Sequence, residues 1–258
     1  MRSKYQDTHR TVLACGACCS PASQCLLDVY GLAILKTLFA LQAIYSKIYR
    51  QYSSLHFSTK FSLILAHSEY VISMNPIIVE YDSARYDFRK WACEVLGVQE
   101  LEIIHRLNKV KTCNISPTAN QLAKSFSSIL EIYQSFVLNV LDKEIGGVAN
   151  YQSPPSFRFH YSGLGSSVFH RDRDFGVEQG RINVWVPLTN VWGDNSLWIE
   201  GTEGAEDHEP ITMKFGQMLL FDGVNNSHGS KINTTSSTRV SFDLRVLPGE
   251  GPPRPTSY

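Results

Sequence analysis

Phe169-His-Arg-Asp-Arg-Asp-Phe175, followed far downstream by Asn225-Asn-Ser-His-Gly229 and then by Thr238-Arg-Val-Ser-Phe-Asp-Leu-Arg245, is the part of the chain whose reading decides the fold. His170 and Asp172 stand two residues apart, so on a strand both side chains share one face and reach one ion. His228 enters from a different segment. Two imidazoles and a carboxylate can cap one triangular face of a divalent metal and leave the opposite positions open. Asp174 is an alternative carboxylate, but it needs a turn to meet His170, and Asp172 is preferred. Read alone, an H-x-D triplet or a single histidine carries little weight; the order of the whole set carries it.

Arg239 stands two positions before Ser241, on the same strand face. A guanidinium fork matches a carboxylate in bidentate fashion, and the hydroxyl adds a donor. The pair suits the far carboxylate of a keto acid beside the metal. Arg245 continues that face and is the second candidate for this anchor. Asn183 and Trp185 alternate on the run Ile182-Asn-Val-Trp-Val-Pro-Leu-Thr189 and are candidates to line the pocket; Asn183 is expected to contact the co-substrate. Arg158 and His160 share a face of an earlier strand. Arg171 and Arg173 flank the ligands and read as a solvated face. Trp192, Gly193 and Asp194 read as a loop at a barrel mouth, and Glu200 to Glu209 as a solvated acidic loop.

Around this core the chain changes texture several times. From residue 150 onward, short alternating runs are separated by Gly, Pro, Asn and Asp. The expected strands are Phe157–Tyr161, Arg181–Pro187, Ser196–Ile199, Ile211–Lys214, Gln217–Phe221 and Arg239–Leu247. Many short strands with turn signals argue for a jelly roll, or double-stranded β-helix, within an α+β, mainly β class. Upstream, Ile77–Tyr81 reads as an extended entry. Ser83 is placed to cap a helix carrying Phe88, Trp91 and Ala92, with Gly97 ending it. Ser116 and Pro117 open a long helix whose apolar residues run from Leu122 to Leu141, stopped at Gly146-Gly147. The domain is therefore expected over 74–248, with helical support at 83–146 and the jelly-roll core at 155–248. Residues 249–258 are expected as a loose tail.

Residues 1–73 differ in character. Leu32, Leu35, Leu38, Phe39, Ala43, Ile44 and Ile48 recur at helical spacing, giving one amphipathic helix from about 28 to 50 and a second near 59 to 68. Met74 stands at the junction, and an original start there would make the preceding residues an extension. Cys15, Cys18, Cys19 and Cys25 crowd into this segment without a second ligand pair of the kind structural zinc sites use.

Bulk composition narrows the function classes. The chain has 258 residues and an apolar fraction of 43%, enough for a large core. Lys+Arg and Asp+Glu both number 24, so the formal net charge is zero. That leaves no electrostatic footprint for nucleic acid and no polybasic membrane patch. No run of 18 or more uncharged apolar residues marks a membrane span. The six cysteines do not form a framework for the whole chain, which fits a reducing cytoplasm.

With these motifs in hand, residues 75–247 resemble the phytanoyl-CoA-hydroxylase-like branch of the 2-oxoglutarate/Fe(II)-dependent dioxygenases, near members of the streptomycin-biosynthesis type. The resemblance implies His170, Asp172 and His228 as iron ligands, Arg239 and Ser241 as contacts of 2-oxoglutarate, and dioxygen as the second co-substrate. It implies hydroxylation of a small-molecule substrate with oxidative decarboxylation of 2-oxoglutarate to succinate and CO2. Related halogenases lack the carboxylate and hold chloride in its place, so Asp172 favours hydroxylation. Two other readings stand beside this one: a metal-containing jelly roll that binds a ligand without turnover, and a peptide or protein hydroxylase of the same superfamily.

Overall fold

The computed structural model describes residues 74–107 and 116–257. The expected extension at 1–73, with its two helices and its cysteine cluster, lies outside the described residues.

The architecture follows from strict alternation along a few strands. The strands are β1 (Ile77–Glu80), β2 (Val148–Gln152), β3 (Ser156–His160), β4 (Ile182–Pro187), β5 (Leu197–Ile199), β6 (Glu209–Ile211), β7 (Gln217–Phe221), β8 (His228–Gly229), β9 (Arg239–Pro248) and β10 (Arg254–Thr256). They form a seven-stranded sheet in the order β1-β7-β4-β9-β2-β10, with β3 also pairing β9, and a three-stranded sheet in the order β6-β5-β8. In β9, Val240, Phe242, Leu244 and Val246 all point to one face and join the main core. The intervening Arg239, Ser241, Asp243 and Arg245 therefore point to the other face. The same parity holds in β4, where Val184 and Val186 enter the main core and Trp185 enters a second cluster.

That second cluster joins the two sheets. Trp185, Leu219 and Phe221 from the large sheet pack with Leu197 and Ile199 from the small one, together with Val191 and Met213. The two inner faces thus meet as in a β-sandwich, and the chain adopts the double-stranded β-helix expected from its strand pattern.

The outer face of the large sheet is covered by helices: α1 (Phe88–Leu96), α2 (Ile104–Leu107), α3 (Pro117–Lys124), α4 (Leu130–Phe136) and α5 (Asp142–Ile145). Phe136 is fully buried and meets Tyr81, Tyr86 and Phe88 in edge-to-face contacts at 5.3–5.5 Å. Phe88 reaches across to Phe242 of β9 at 5.0 Å, so the helical layer is pinned to the strand that carries the candidate anchor. Burying aromatic surface in this way supplies about 25 cal/mol per Å².

Several local expectations need correction. Asp87, not Ser83, caps α1 by accepting from Lys90 N; Gly97 ends it in the left-handed conformation, at φ 65°. Ser116 accepts from Ala119 N at the start of α3 as expected. The single long helix is broken, however, at Ser125 and Ile129 around a short 3-10 turn, Phe126–Ser128. From Leu130 it runs on to Gly146 through a π turn at Val137–Leu141. The strand expected at Ile211–Lys214 lies earlier, at Glu209–Ile211; Met213 makes an isolated bridge with Val191. The expected loose tail contains β10, paired parallel to β2 through Arg254–Asn150 and Thr256–Gln152. β2 itself was not anticipated and begins before the expected core boundary at 155. Among the described residues, no helix is long and apolar enough to cross a membrane.

Candidate metal centre

His170 and His228 are held by backbone before any ligand is considered. The two residues form an antiparallel bridge, with His170 N donating to His228 O at 3.0 Å and His228 N donating to His170 O at 2.9 Å. Gly229 permits this approach: a Cβ there would lie 2.8 Å from Phe169 Cα and 2.9 Å from Phe169 N. Asp172 is not on a strand. It opens a 3-10 turn, Asp172–Phe175, and the turn brings its carboxylate back beneath the two rings. Asp172 Oδ1 lies 3.6 Å from His170 Nε2 and 3.9 Å from His228 Nε2. One donor atom from each of the three residues lies within 4.8 Å of the others.

The ring tautomers suit a metal. His170 Nδ1 is 2.9 Å from Val168 O and His228 Nδ1 is 3.1 Å from Asn226 O. A carbonyl only accepts, so each Nδ1 carries a proton, and Nε2, the atom that faces Asp172, is the one a neutral ring would offer to a metal. Such outer hydrogen bonds fix the ring orientation of metal-binding histidines. Burial pushes His228 down to about 4, so it is neutral at pH 7. His170 is shifted upward by its contact with Asp172. Burial alone would raise the Asp172 carboxyl, but His170, Arg245 and His228 outweigh it and hold that carboxyl well below the usual carboxylate range. The donor set is therefore two imidazole nitrogens and one ionised carboxylate, a combination that fits Fe(II).

Asp172 is itself fixed from behind. Its Oδ2 accepts from Arg245 Nε at 2.7 Å and from Asn183 Nδ2 at 2.8 Å, which leaves Oδ1 for the metal. Arg245, the second candidate for a keto-acid anchor, is thus committed to the Asp172 carboxylate. Asn183, expected to touch the co-substrate, also holds Asp172 here. Asp174 accepts from Arg171 N at 3.3 Å and is not part of the metal group.

Arg239 and Ser241 lie on the same inner face. Arg239 is 2% exposed; its Nη1 donates to Asn195 O at 3.0 Å and its Nη2 to Ser230 Oγ at 3.3 Å. Its guanidinium carbon stands 5.4 Å from the Trp185 ring centroid. Trp185 Nε1 donates to Ser241 Oγ at 3.1 Å. His160 lies directly across from Arg239 in the β3–β9 register, and Arg158 pairs with Asp243 at 2.8 Å.

Arg171 and Glu200 depart most from expectation. Arg171 is not on a solvated face: its Nη2 lies 3.0 and 2.9 Å from the two carboxylate oxygens of Glu200, and its Nε donates to Asn225 O at 2.9 Å. Glu200 is fully buried, although the rest of the acidic stretch is mostly exposed. Burial opposes its charge, but backbone donors from Ser227 and Glu206, together with Arg171, pull its carboxyl down to about 2. Arg173 contacts Glu203 at 2.6 Å. No local sequence signal distinguishes Glu200 from its acidic neighbours, because its burial depends on the distant Ser227 segment.

No family model matches the chain. It is 33% identical over 174 residues to the streptomycin biosynthesis protein StrG of Streptomyces griseus, covering 66% of this chain and 83% of that protein. Among solved structures, the iron-bound EctD from S. alaskensis is 18% identical and covers 67% of this chain and 73% of that one, with a TM-score of 0.47. The α-ketoglutarate-dependent epimerase SnoN from nogalamycin biosynthesis is 11% identical with a TM-score of 0.46, covering 67% and 78%. The StrG match spans most of that relative, and on this ground the chain belongs to the family of the streptomycin biosynthesis protein StrG.

Proposed function

We propose that this protein is an Fe(II)/2-oxoglutarate-dependent dioxygenase that hydroxylates a small-molecule substrate. The observation that carries the reading is the convergence of two imidazole Nε2 atoms on Asp172 Oδ1 beside a buried arginine–serine pair. His170, Asp172 and His228 would hold the iron. The chemistry that iron supplies when bound is the oxidative decarboxylation of 2-oxoglutarate to succinate and CO2, coupled to oxidation of a substrate C–H bond.

The chain's own residues supply orientation. Asn183 and Arg245 aim Asp172. Arg239 receives the far carboxylate of 2-oxoglutarate, its fork steadied by Asn195 O and Ser230. Trp185 Nε1 donates to Ser241 Oγ, which leaves the serine proton available to donate to that same carboxylate. Phe175, 72% exposed, makes a T-shaped contact with His170 at 5.3 Å and helps to fix the orientation of that ring. The streptomycin-biosynthesis relative supports a secondary-metabolite precursor as substrate. The neutral charge balance supports a partner that is neither nucleic acid nor a membrane surface.

The test is anaerobic visible absorption of metal-free protein titrated with Fe(II) and then 2-oxoglutarate. A metal-to-ligand charge-transfer band should require both additions. It should vanish in His170→Ala and demand more 2-oxoglutarate in Arg239→Ala. Absence of the band in the wild type, with some other metal or ligand bound instead, would favour a binding protein without turnover.

A further inference from the structure

Glu200 is a carboxylate at which the segments of both candidate histidine ligands and a surface loop meet. Its Oε2 accepts from Ser227 N at 2.9 Å, the residue before His228. Arg171, which contacts both of its oxygens, lies between His170 and Asp172. Its Oε1 accepts from Glu206 N at 2.9 Å, in the loop that connects β5 to β6. Glu200 N donates to Ser227 O at 2.8 Å and Asn226 Nδ2 donates to Glu200 O at 3.1 Å, so its backbone is tied to the His228 segment as well.

The loop arm is built for this contact. Glu206 has φ 56°, the left-handed conformation that a side chain with a Cβ rarely adopts. That conformation turns its N–H toward the buried carboxylate, while the residue itself is exposed. A second link lies beside the first. His208 Nε2 is 2.9 Å from Ser227 Oγ, and the His208 ring packs on Phe169 at 4.2 Å, next to His170. The loop therefore touches the chain immediately before each of the two histidine ligands.

We propose that Glu200 is a positioning residue for the metal centre and that, through it, the loop of residues 201–208 and the bound metal order one another. The proposal rests on the iron reading above. By reciprocity, if metal binding orders the loop, an ordered loop raises metal affinity by the same factor.

The test uses the full chain with Co(II) as a redox-stable probe and follows two readouts: the Co(II) dissociation constant and the rate of protease cleavage within 201–208. In the wild type, saturating Co(II) should slow loop cleavage about fivefold or more. Glu200→Gln should weaken Co(II) binding about 10–100-fold, as loss of an outer-shell partner does, and should bring cleavage with and without metal to the same rate. Glu206→Pro removes the N–H and cannot hold φ 56°; it should abolish the metal-dependent protection, and Glu206→Gly, which loses the same side-chain carboxylate, controls for the lost charge. Glu206→Gly retains the N–H and favours the same φ, so it should behave as the wild type. Glu102→Gln, which breaks the remote Arg89–Glu102 pair at 2.7 Å, controls for lost stability and should leave both readouts unchanged. Wild-type affinity and protection in Glu206→Pro, or equal losses in Glu102→Gln, would overturn the coupling and leave the iron reading intact. Failure of the wild type to bind Co(II) or Fe(II) would end both.

Discussion

His160 should make the metal-free protein sensitive to mild acid, in a way that can be counted in protons. The residue is fully buried, with Nε2 3.1 and 3.0 Å from the carbonyl oxygens of Leu164 and Lys231 and Arg239 across the strand pair. Burial, and then the Arg239 charge, push its pKa down to about 3, against about 6.5 in an unfolded chain. A histidine with a depressed native pKa takes up its proton first in the unfolded state. Its contribution is therefore intact above pH 6.5 and is lost progressively as pH falls toward 3. Each pH unit in that window costs about 1.4 kcal/mol, so about 2 kcal/mol is gone at pH 5. His228, pushed down to about 4, adds a similar loss in the same window. His170 is shifted upward, so its contribution is fully present below the unfolded value and disappears only as pH rises through its native pKa. It adds no slope under acid conditions.

The wild type should thus lose about 4 kcal/mol between pH 6.5 and 5, a large share of a stability of about 5–15 kcal/mol. Urea unfolding of chelator-treated protein at several pH values measures this directly. His160→Gln keeps an amide donor for the two carbonyls and removes the titrating ring. Its starting stability will differ, but its loss over the same window should be halved, to about 2 kcal/mol. His105, which burial also lowers, contributes equally to both proteins and cancels in the comparison. Equal slopes in the two proteins would refute the assignment of a neutral, buried His160.

Two further substitutions probe the backbone and the carboxylate. Gly229→Ala drives a Cβ into the Phe169 backbone and should separate the His170–His228 bridge; we expect a loss of about 1–3 kcal/mol in thermal or urea unfolding, with weaker Co(II) binding. Asn183→Ala leaves Asp172 Oδ2 with Arg245 as its remaining side-chain donor among the described residues; Co(II) titration should show an affinity loss of about 10–100-fold with the fold retained, and unchanged affinity would show that Arg245 alone orients the carboxylate.

How much of this was legible beforehand varies by residue, for physical reasons. The alternation of β9 and β4 was readable because strand parity is a local property: Arg239 and Ser241 had to share a face whatever lay opposite. The convergence of His170, Asp172 and His228 was legible as a set, yet the route to it was not. His170 and Asp172 were expected to meet because alternate residues of a strand point the same way. They meet because the chain leaves the bridge at His170 and turns at Asp172. Arg171 was read as solvated on the same logic, and it does point away from the metal; what lies there is Glu200, brought in by pairing across distant segments. The tail was misread because of its prolines and glycines. Pro255 is tolerated in β10 because that strand is the last in its sheet, where a missing N–H need not leave a partner unpaired.

The polar face of β9 also bears on why the fold is unique. A one-residue slip of this strand against β3 and β4 would turn Arg239, Ser241, Asp243 and Arg245 into the helix-covered core and expose Val240, Phe242, Leu244 and Val246 to the inner face. Asp243 would lose Arg158, and Arg245 would lose Asp172, leaving unpaired charges in an apolar layer at about 3–5 kcal/mol for each broken pair. Such pairs contribute little net stability where they stand, since desolvation offsets their attraction. Their effect is to make every alternative register far worse. Arg245, which orients the Asp172 carboxylate, is thus also one of the residues that forbid β9 to slide, so one side chain serves both the candidate site and the register.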